Sequence, residues 1–398
     1  MDGTLAARRF SVIGGGIAGL AAARELALRG ARVTVYERGR IGERAPEGPA
    51  TPASIGVLTA PRRGGSALRR LLAEAYRMYP EFVARLEEES GLAVGLETRG
   101  SLHLVPRLPA PEVRARREAV YRDVGLSPRW VEGAELEALA PGVAEAYRAS
   151  LFVPEEATVD PRSLALALLA SARKLGVETV EGAGEVSIAD PGAPRIELPS
   201  GARVERTACV IAAGAWSGEV ARRLFGAGAA ADPLPVRPIR GQALEVRASR
   251  DRGPNLRFRP PGMEREYHVV PRGQGRAWVG GTVEEAGFDP SVTEAGVAEL
   301  LRAARAVSPA TGREDVVEAW AGLRPQALVR GGPFVGPLPG ARDVWVHAGH
   351  YRSGILLAPL TARLLARAIA GEEAAVRGEG WDPETLRALA VDRPGEPR

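Results

Sequence analysis

Apolar positions along this chain change period several times, and each change marks an element. Val12-Ile13, in the segment Arg9-Phe10-Ser11-Val12-Ile13, is apolar and stops at three glycines, as a buried parallel strand does. Ile17–Arg29 carries small apolar residues at helical spacing. Val33-Thr34-Val35-Tyr36 then forms a second apolar strand, closed by Glu37. Ser66–Ser90 puts Leu68, Leu71, Leu72, Ala75, Tyr79, Phe82 and Leu86 on one helical face. Thr98–Val105 alternates like a strand, and Glu112–Asp123 and Gly133–Leu139 are charged enough for short surface helices.

Asp160-Pro161-Arg162-Ser163 opens a helix over Leu164–Leu175, with an acid at the cap and proline in the first turn. Gly176–Val180 returns as a parallel strand. An antiparallel pair, Gly184–Ile188 and Arg195–Leu198, precedes the apolar strand Thr207–Ala213. From Val236 to Val283 the pattern turns antiparallel: Gln242–Arg247, Glu266–Val270 and Ala277–Thr282, with a hairpin turn at Pro271–Gly275. Thr293–Val307 is a helix capped by Thr293. Finally Asp343–Ala348, an apolar strand, runs into Gly349–Gly354 and the helix Leu356–Ala370. The expected class is α/β: a Rossmann-like, mostly parallel domain plus a second domain with a mainly antiparallel sheet.

At 398 residues, two domains are expected. A hydrophobic share of 45% and a charged share of 26% describe an ordinary globular chain. Net charge is only +4, and no arginine run is interleaved with aromatics, so nucleic acid is not an expected partner. Lys174 is the sole lysine, which disfavours a lysine Schiff base. Cys209 is the sole cysteine and sits in an apolar strand, which rules out an internal disulfide or a cysteine metal cluster. His103, His268, His347 and His350 lack metal-ligand spacing, so no metal is expected. No apolar run is long enough to span a membrane, and the expected location is the cytoplasm. Neither a Gly-x-Ser-x-Gly elbow nor a Walker Gly-Lys pair occurs, which leaves hydrolase and kinase chemistry unsupported.

The glycines carry the chemistry that remains. Gly14 allows a tight turn, Gly16 lets backbone approach a pyrophosphate, and Gly19 lets the helix pack on the strand. Eighteen residues beyond Gly19, Glu37 can accept from a ribose diol. The helix start adds a positive end for phosphate. Val210–Trp216 ends a strand in the small residues Ala213 and Gly214, and Gly349–Gly354 is a second glycine-rich turn before a helix.

These segments occur in order with Tyr267–Arg272, Gly280-Gly281-Thr282, Ala319-Trp320-Ala321-Gly322-Leu323-Arg324-Pro325 and Gly349-His350-Tyr351-Arg352-Ser353-Gly354-Ile355-Leu356-Leu357-Ala358-Pro359. Together they resemble the FAD-dependent D-amino-acid oxidase superfamily, above all its glycine oxidase branch. The resemblance implies a discontinuous FAD-binding domain, 1–90, 150–232 and 322–398, and a substrate domain, 91–149 and 233–321. It implies non-covalent FAD held by Gly14, Gly16, Ile17, Ala18 and Gly19, and by Glu37 and Arg38. Ala50, Thr51, Ile55, Gly56 and Val57 would face the flavin, and Val186 the adenine. Ala213, Gly214 and Trp216 would line its strand end. His350, Tyr351, Arg352, Ser353, Gly354, Ile355 and Leu356 would donate backbone groups to the flavin ring.

Arg324 would then fork onto the substrate carboxylate, and Arg352 would lie near substrate and flavin. The family places a tyrosine three residues before the proline of Val-Pro-Arg. Here His268 stands there, with Tyr267 one place earlier, so either His268 replaces it or a bulge brings Tyr267 in. The implied reaction is oxidation of a small amino acid (glycine, sarcosine or a D-amino acid) at Cα, with oxygen as acceptor and peroxide as product. The imine could serve thiazole synthesis for thiamine. A dehydrogenase passing electrons to a quinone or partner protein, and a FAD-binding subunit of a larger complex, are the competing readings; assembly into a homo-oligomer stays open.

Overall fold

The computed structural model describes residues 5–59, 66–143, 146–205, 207–226, 232–248, 252–329, 332–372 and 386–392. Two sheets organise it. The first has six strands, in spatial order Phe334–Pro337, Val344–Ala348, Ala208–Ile211, Arg9–Ile13, Arg32–Tyr36 and Glu178–Val180. All its pairings are parallel except that of Phe334–Pro337 with Val344–Ala348. Helices Ile17–Ala27, Ser66–Ser90, Pro161–Lys174 and Gly354–Ile369 contribute to a core with Val12, Val33 and Val35, which include Leu20, Leu71, Leu168 and Leu365. Buried strands with apolar residues on both faces and helices alongside them are what a parallel sheet requires.

The second sheet has eight strands: Val316–Ala327, Val236–Arg247, Arg276–Gly280, Tyr267–Gly273, Asn255–Phe258, Ser101–Val105, Ala149–Val153 and Arg129–Glu132. It is antiparallel except where Asn255–Phe258 meets Ser101–Val105. One face packs on the helix Glu294–Arg305, burying Leu244, Phe258, Val279 and Leu300. The opposite face looks toward the first sheet. The expected helix caps are present: Asp160 accepts from the amides of Arg162 and Ser163, and Thr293 accepts from that of Gly296.

Two strands cross the domain limits expected from the sequence. Ala149–Val153 lies in the eight-stranded sheet although 150–232 was assigned to the cofactor domain. All five of its residues are buried, so no alternation betrayed it. Val316–Ala327 continues through 322 in that same sheet, with Pro325 on its edge strand, where a missing amide is tolerated. The outer ends of the expected cofactor domain, and 227–231 within it, lie outside the described residues.

Candidate active site

The site begins where the first strand meets the first helix. Gly14 has φ +107°, and a Cβ there would lie 2.4 Å from the Ala212 carbonyl oxygen. A Cβ on Gly19 would lie 1.8 Å from the carbonyl oxygen of Gly14. Both glycines are therefore demanded by strand–helix contact alone; Gly19 does not itself face the cavity. Gly16 caps the helix with extended backbone and offers no side-chain cap. A helix start leaves its first amides without intrahelical acceptors. Here the Ile17 amide donates to Thr51 Oγ1 at 3.0 Å, and Gly16, Ile17 and Ala18 line a cavity of about 410 Å³. Donor amides at a positive helix end suit a phosphate.

Glu37 closes the second strand on the same cavity. Its carboxylate accepts from the Gly15 amide at 2.6 Å and the Gly39 amide at 3.0 Å. Two backbone bonds thus aim it at the site, with acceptor capacity to spare for a diol. Next to it the Arg38 guanidinium sits 4.8 Å from the Trp216 ring centre, and Val186, Ala213 and Gly214 complete this end.

The cavity is also walled by Ala50, Thr51, Ile55 and Val57 and by the turn His350–Ile355. The loop from 39 onward holds a short helix, Ala50–Ala53, that the Gly- and Pro-rich sequence concealed. Its Ala53 carbonyl accepts from Trp320 Nε1 at 2.9 Å. Gly56 bends this loop at φ +70°, with its Cα turned to the Val159 carbonyl, and does not line the cavity. Leu356 likewise points into the core. Within the turn, Tyr351 adopts φ +51°, an uncommon left-handed backbone for a bulky residue.

Two buried histidines brace this turn. His347 Nδ1 lies 2.9 Å from the Ala18 carbonyl oxygen and so donates to it. His347 Nε2 and His350 Nε2 approach Thr361 Oγ1 at 2.8 and 3.1 Å. Desolvation pushes His347 down to about 4 and His350 well below its usual value, so both are neutral at pH 7.

Arg324, on the edge strand, lines the same cavity with its guanidinium taken out of water. Its Nη1 donates to the carbonyl oxygen of Thr282 at 2.8 Å and reaches that of Arg240 at 3.4 Å. No carboxylate pairs with it among the described residues. Desolvation, with the charge of Arg352 nearby, pushes it down to about 10. Arg352 is exposed and also lacks an ion pair among the described residues. His268 lines the cavity, its Nδ1 3.2 Å from Asn255 Oδ1. Tyr267 does not: on a strand, adjacent residues face opposite ways. Its ring is buried in the core and its hydroxyl donates to Glu299 at 2.5 Å. The irregularity in this strand falls at Pro271–Gly273, beyond Tyr267, so Tyr267 stays on the core face and His268 takes the expected tyrosine's side. Arg257, not singled out from the sequence, also reaches the cavity. Only its cross-strand pairing with His268 reveals it, and that pairing is invisible in one chain's pattern.

The described residues contain no group of His, Cys, Asp or Glu able to hold a metal, and no helix long and apolar enough to cross a membrane. The family model described as FAD dependent oxidoreductase matches residues 9–368. The chain is 30% identical to a glycine oxidase of Geobacillus kaustophilus over 92% of its length and 93% of that protein. It is 32% identical to the bifunctional protein ThiO/ThiG of Nostoc sp. over 90% of its length, and spans 52% of that protein. The crystal structure of glycine oxidase from Geobacillus kaustophilus superposes with a TM-score of 0.82 at 28% identity, covering 98% of this chain and 100% of that one.

Proposed function

The chain belongs to the FAD dependent oxidoreductase family, as an FAD-dependent amino-acid oxidoreductase, and from that premise we propose that it oxidises a small amino acid at Cα, with Arg324 seating the carboxylate. The observation that carries this reading is the Arg324 guanidinium. It is a desolvated cation without an acid partner among the described residues, in the same cavity as two glycine-hinged helix starts. Holding such a charge away from water is costly unless a ligand anion completes it.

The residues present fit FAD. Glycine-walled amides at the Ile17 helix suit its diphosphate, Glu37 its ribose, and the wall of Ile55, Val57 and His350–Ile355 a flat ring. When bound, FAD supplies the two-electron acceptor. The chain supplies position and charge. Arg324 presents two nitrogens to a planar carboxylate, which fixes the amino acid's orientation. Arg352 adds positive charge at the same end. The neutral His347 and His350 bring no competing cation to the turn. His268 stands beside the substrate end as a hydrogen-bonding side chain, and no side-chain base is needed if the amine binds unprotonated.

Glycine, sarcosine and small D-amino acids are the substrates in view, and the likeness to ThiO/ThiG supports thiazole synthesis for thiamine as one use of the imine. Oxygen is the proposed acceptor. The test is anaerobic mixing of the yellow holoenzyme with each amino acid while the flavin absorbance is followed, then admission of air with peroxide assayed. Bleaching and stoichiometric peroxide are expected. Bleaching that only an added dye reverses would replace the oxidase with a dehydrogenase, and an unbleached flavin across the panel would overturn the amino-acid reading.

A further inference from the structure

The cavity has more cationic recognition than one amino-acid carboxylate uses. Strand register aligns His103, Arg257, His268, Gly280 and Ala243 in a row across the eight-stranded sheet. Directly opposed residues share a face. Their neighbours Leu256, Phe258 and Tyr267 fill the core on the other face. Arg257 therefore stands beside His268 on the cavity side.

Its hydrogen bonding is incomplete. Nη2 pairs with Glu266 at 2.6 Å, but Nε is buried with no partner. Among the described residues, it is the one buried, unpartnered side-chain polar atom that belongs to a residue lining this cavity. Buried donors left unpaired are rare and call for an explanation.

Distance sets Arg257 apart from the Arg324 seat. Arg324 packs over Gly241, on the strand Val236–Arg247. Its Nη2 also lies close to Gly281, directly after the strand Arg276–Gly280, from which two strand steps, about 10 Å between backbones, lead to Asn255–Phe258. A molecule with acid groups at both ends can meet both cations in this cavity.

We propose that Arg257 seats a second carboxylate, so that the preferred substrate is an amino dicarboxylate. This deepens the amino-acid reading above and rests on it. Glu266 holds Nη2, and the substrate acid meets the guanidinium from the cavity side. A charge-assisted contact of this kind is worth about tenfold or more in affinity.

The test compares N-carboxymethylglycine and D-aspartate with glycine and sarcosine, using wild-type holoenzyme, Arg257→Gln and Arg257→Lys. Calorimetry with malonate and acetate, which are not oxidised, gives a second readout. Wild type is expected to favour a dicarboxylate over glycine by about tenfold in kcat/KM and to bind malonate over acetate by a similar factor. In Arg257→Gln both ratios collapse, the first through KM, while Arg257→Lys recovers part of each. A wild type that prefers glycine and sarcosine, with malonate no tighter than acetate, would overturn the inference and leave the amino-acid reading standing. Equal losses for mono- and dicarboxylates in Arg257→Gln would overturn it too, marking the Glu266 pair as structural. If no amino acid is oxidised, the earlier reading fails, and the malonate ratio still decides whether Arg257 seats an acid.

Discussion

The guanidinium of Arg324 packs against the backbone of Gly241. A Cβ built on Gly241 would be 2.0 Å from Nη2 and 2.1 Å from both Cζ and Nη1. No side chain fits at Gly241 while the guanidinium keeps this place. Gly241→Ala is therefore expected to push the carboxylate seat out of place while the backbone pairing Gly241↔Gly322 persists. A misplacement of about 1 Å costs on the order of a hundredfold in rate. Steady-state kinetics should show that loss in kcat/KM, with the flavin spectrum and thermal midpoint near wild type.

Removing the guanidinium itself separates seating from cofactor binding. Arg324→Ala should purify yellow, because Arg324 packs on Gly241 and the Thr282 carbonyl rather than on the Ile17 helix start or Glu37. Losing a bidentate charged contact should raise the amino-acid concentration needed for half-maximal rate by roughly 10- to 100-fold. Arg324→Lys keeps charge but loses the fork, and should recover little. Normal oxidation of amino acids by Arg324→Ala would refute the carboxylate assignment.

Glu37 serves the cofactor. Its two oxygens already hold the amides of Gly15 and Gly39, so its position is set before any cofactor arrives. Glu37→Ala should release both amides and remove the ribose acceptor. FAD affinity is expected to fall by about tenfold or more, measured by fluorescence titration of deflavinated protein, with less effect on the apparent affinity for amino acid once FAD is saturating.

Much of this was legible in the sequence, for physical reasons that differ by region. Gly14, Gly16 and Gly19 could be read because backbone contact admits no other residue at Gly14 or Gly19, and such constraints are local. Asp160 and Thr293 were readable as caps for the same reason. The substrate end was harder. Val316–Ala327 contains Gly322 and Pro325, which signal a turn, yet it pairs along its whole length with Val236–Arg247. Gly322 is there because a Cβ would meet Ala53 at 2.4 Å, a contact between distant segments. His268 and Tyr267 could not be told apart until the register was known. Arg257 depends wholly on that register, and no spacing along the chain could have exposed it.

The last prediction concerns acid. The Ala18 carbonyl fixes a proton on His347 Nδ1, so in the neutral ring Nε2 is an acceptor facing Thr361 Oγ1, whose single proton is also within reach of the Leu357 carbonyl. That leaves Thr361 Oγ1 to accept from His350 Nε2, which orders the turn facing the flavin wall. His347 is fully buried and its folded value is about 4, against 6.5 when free. The unfolded chain therefore binds more protons than the folded one between pH 6.5 and 4, and stability falls as pH drops through that window. The depression corresponds to a loss of about 3 kcal/mol by pH 4, with none above pH 7, and His350 acts in the same direction. His347→Gln, which can still bond to Ala18 and Thr361 but does not titrate, should flatten this limb. Urea midpoints at pH 7.5, 6 and 4.5 would show it. Parallel acid slopes in wild type and His347→Gln would remove His347 as the cause.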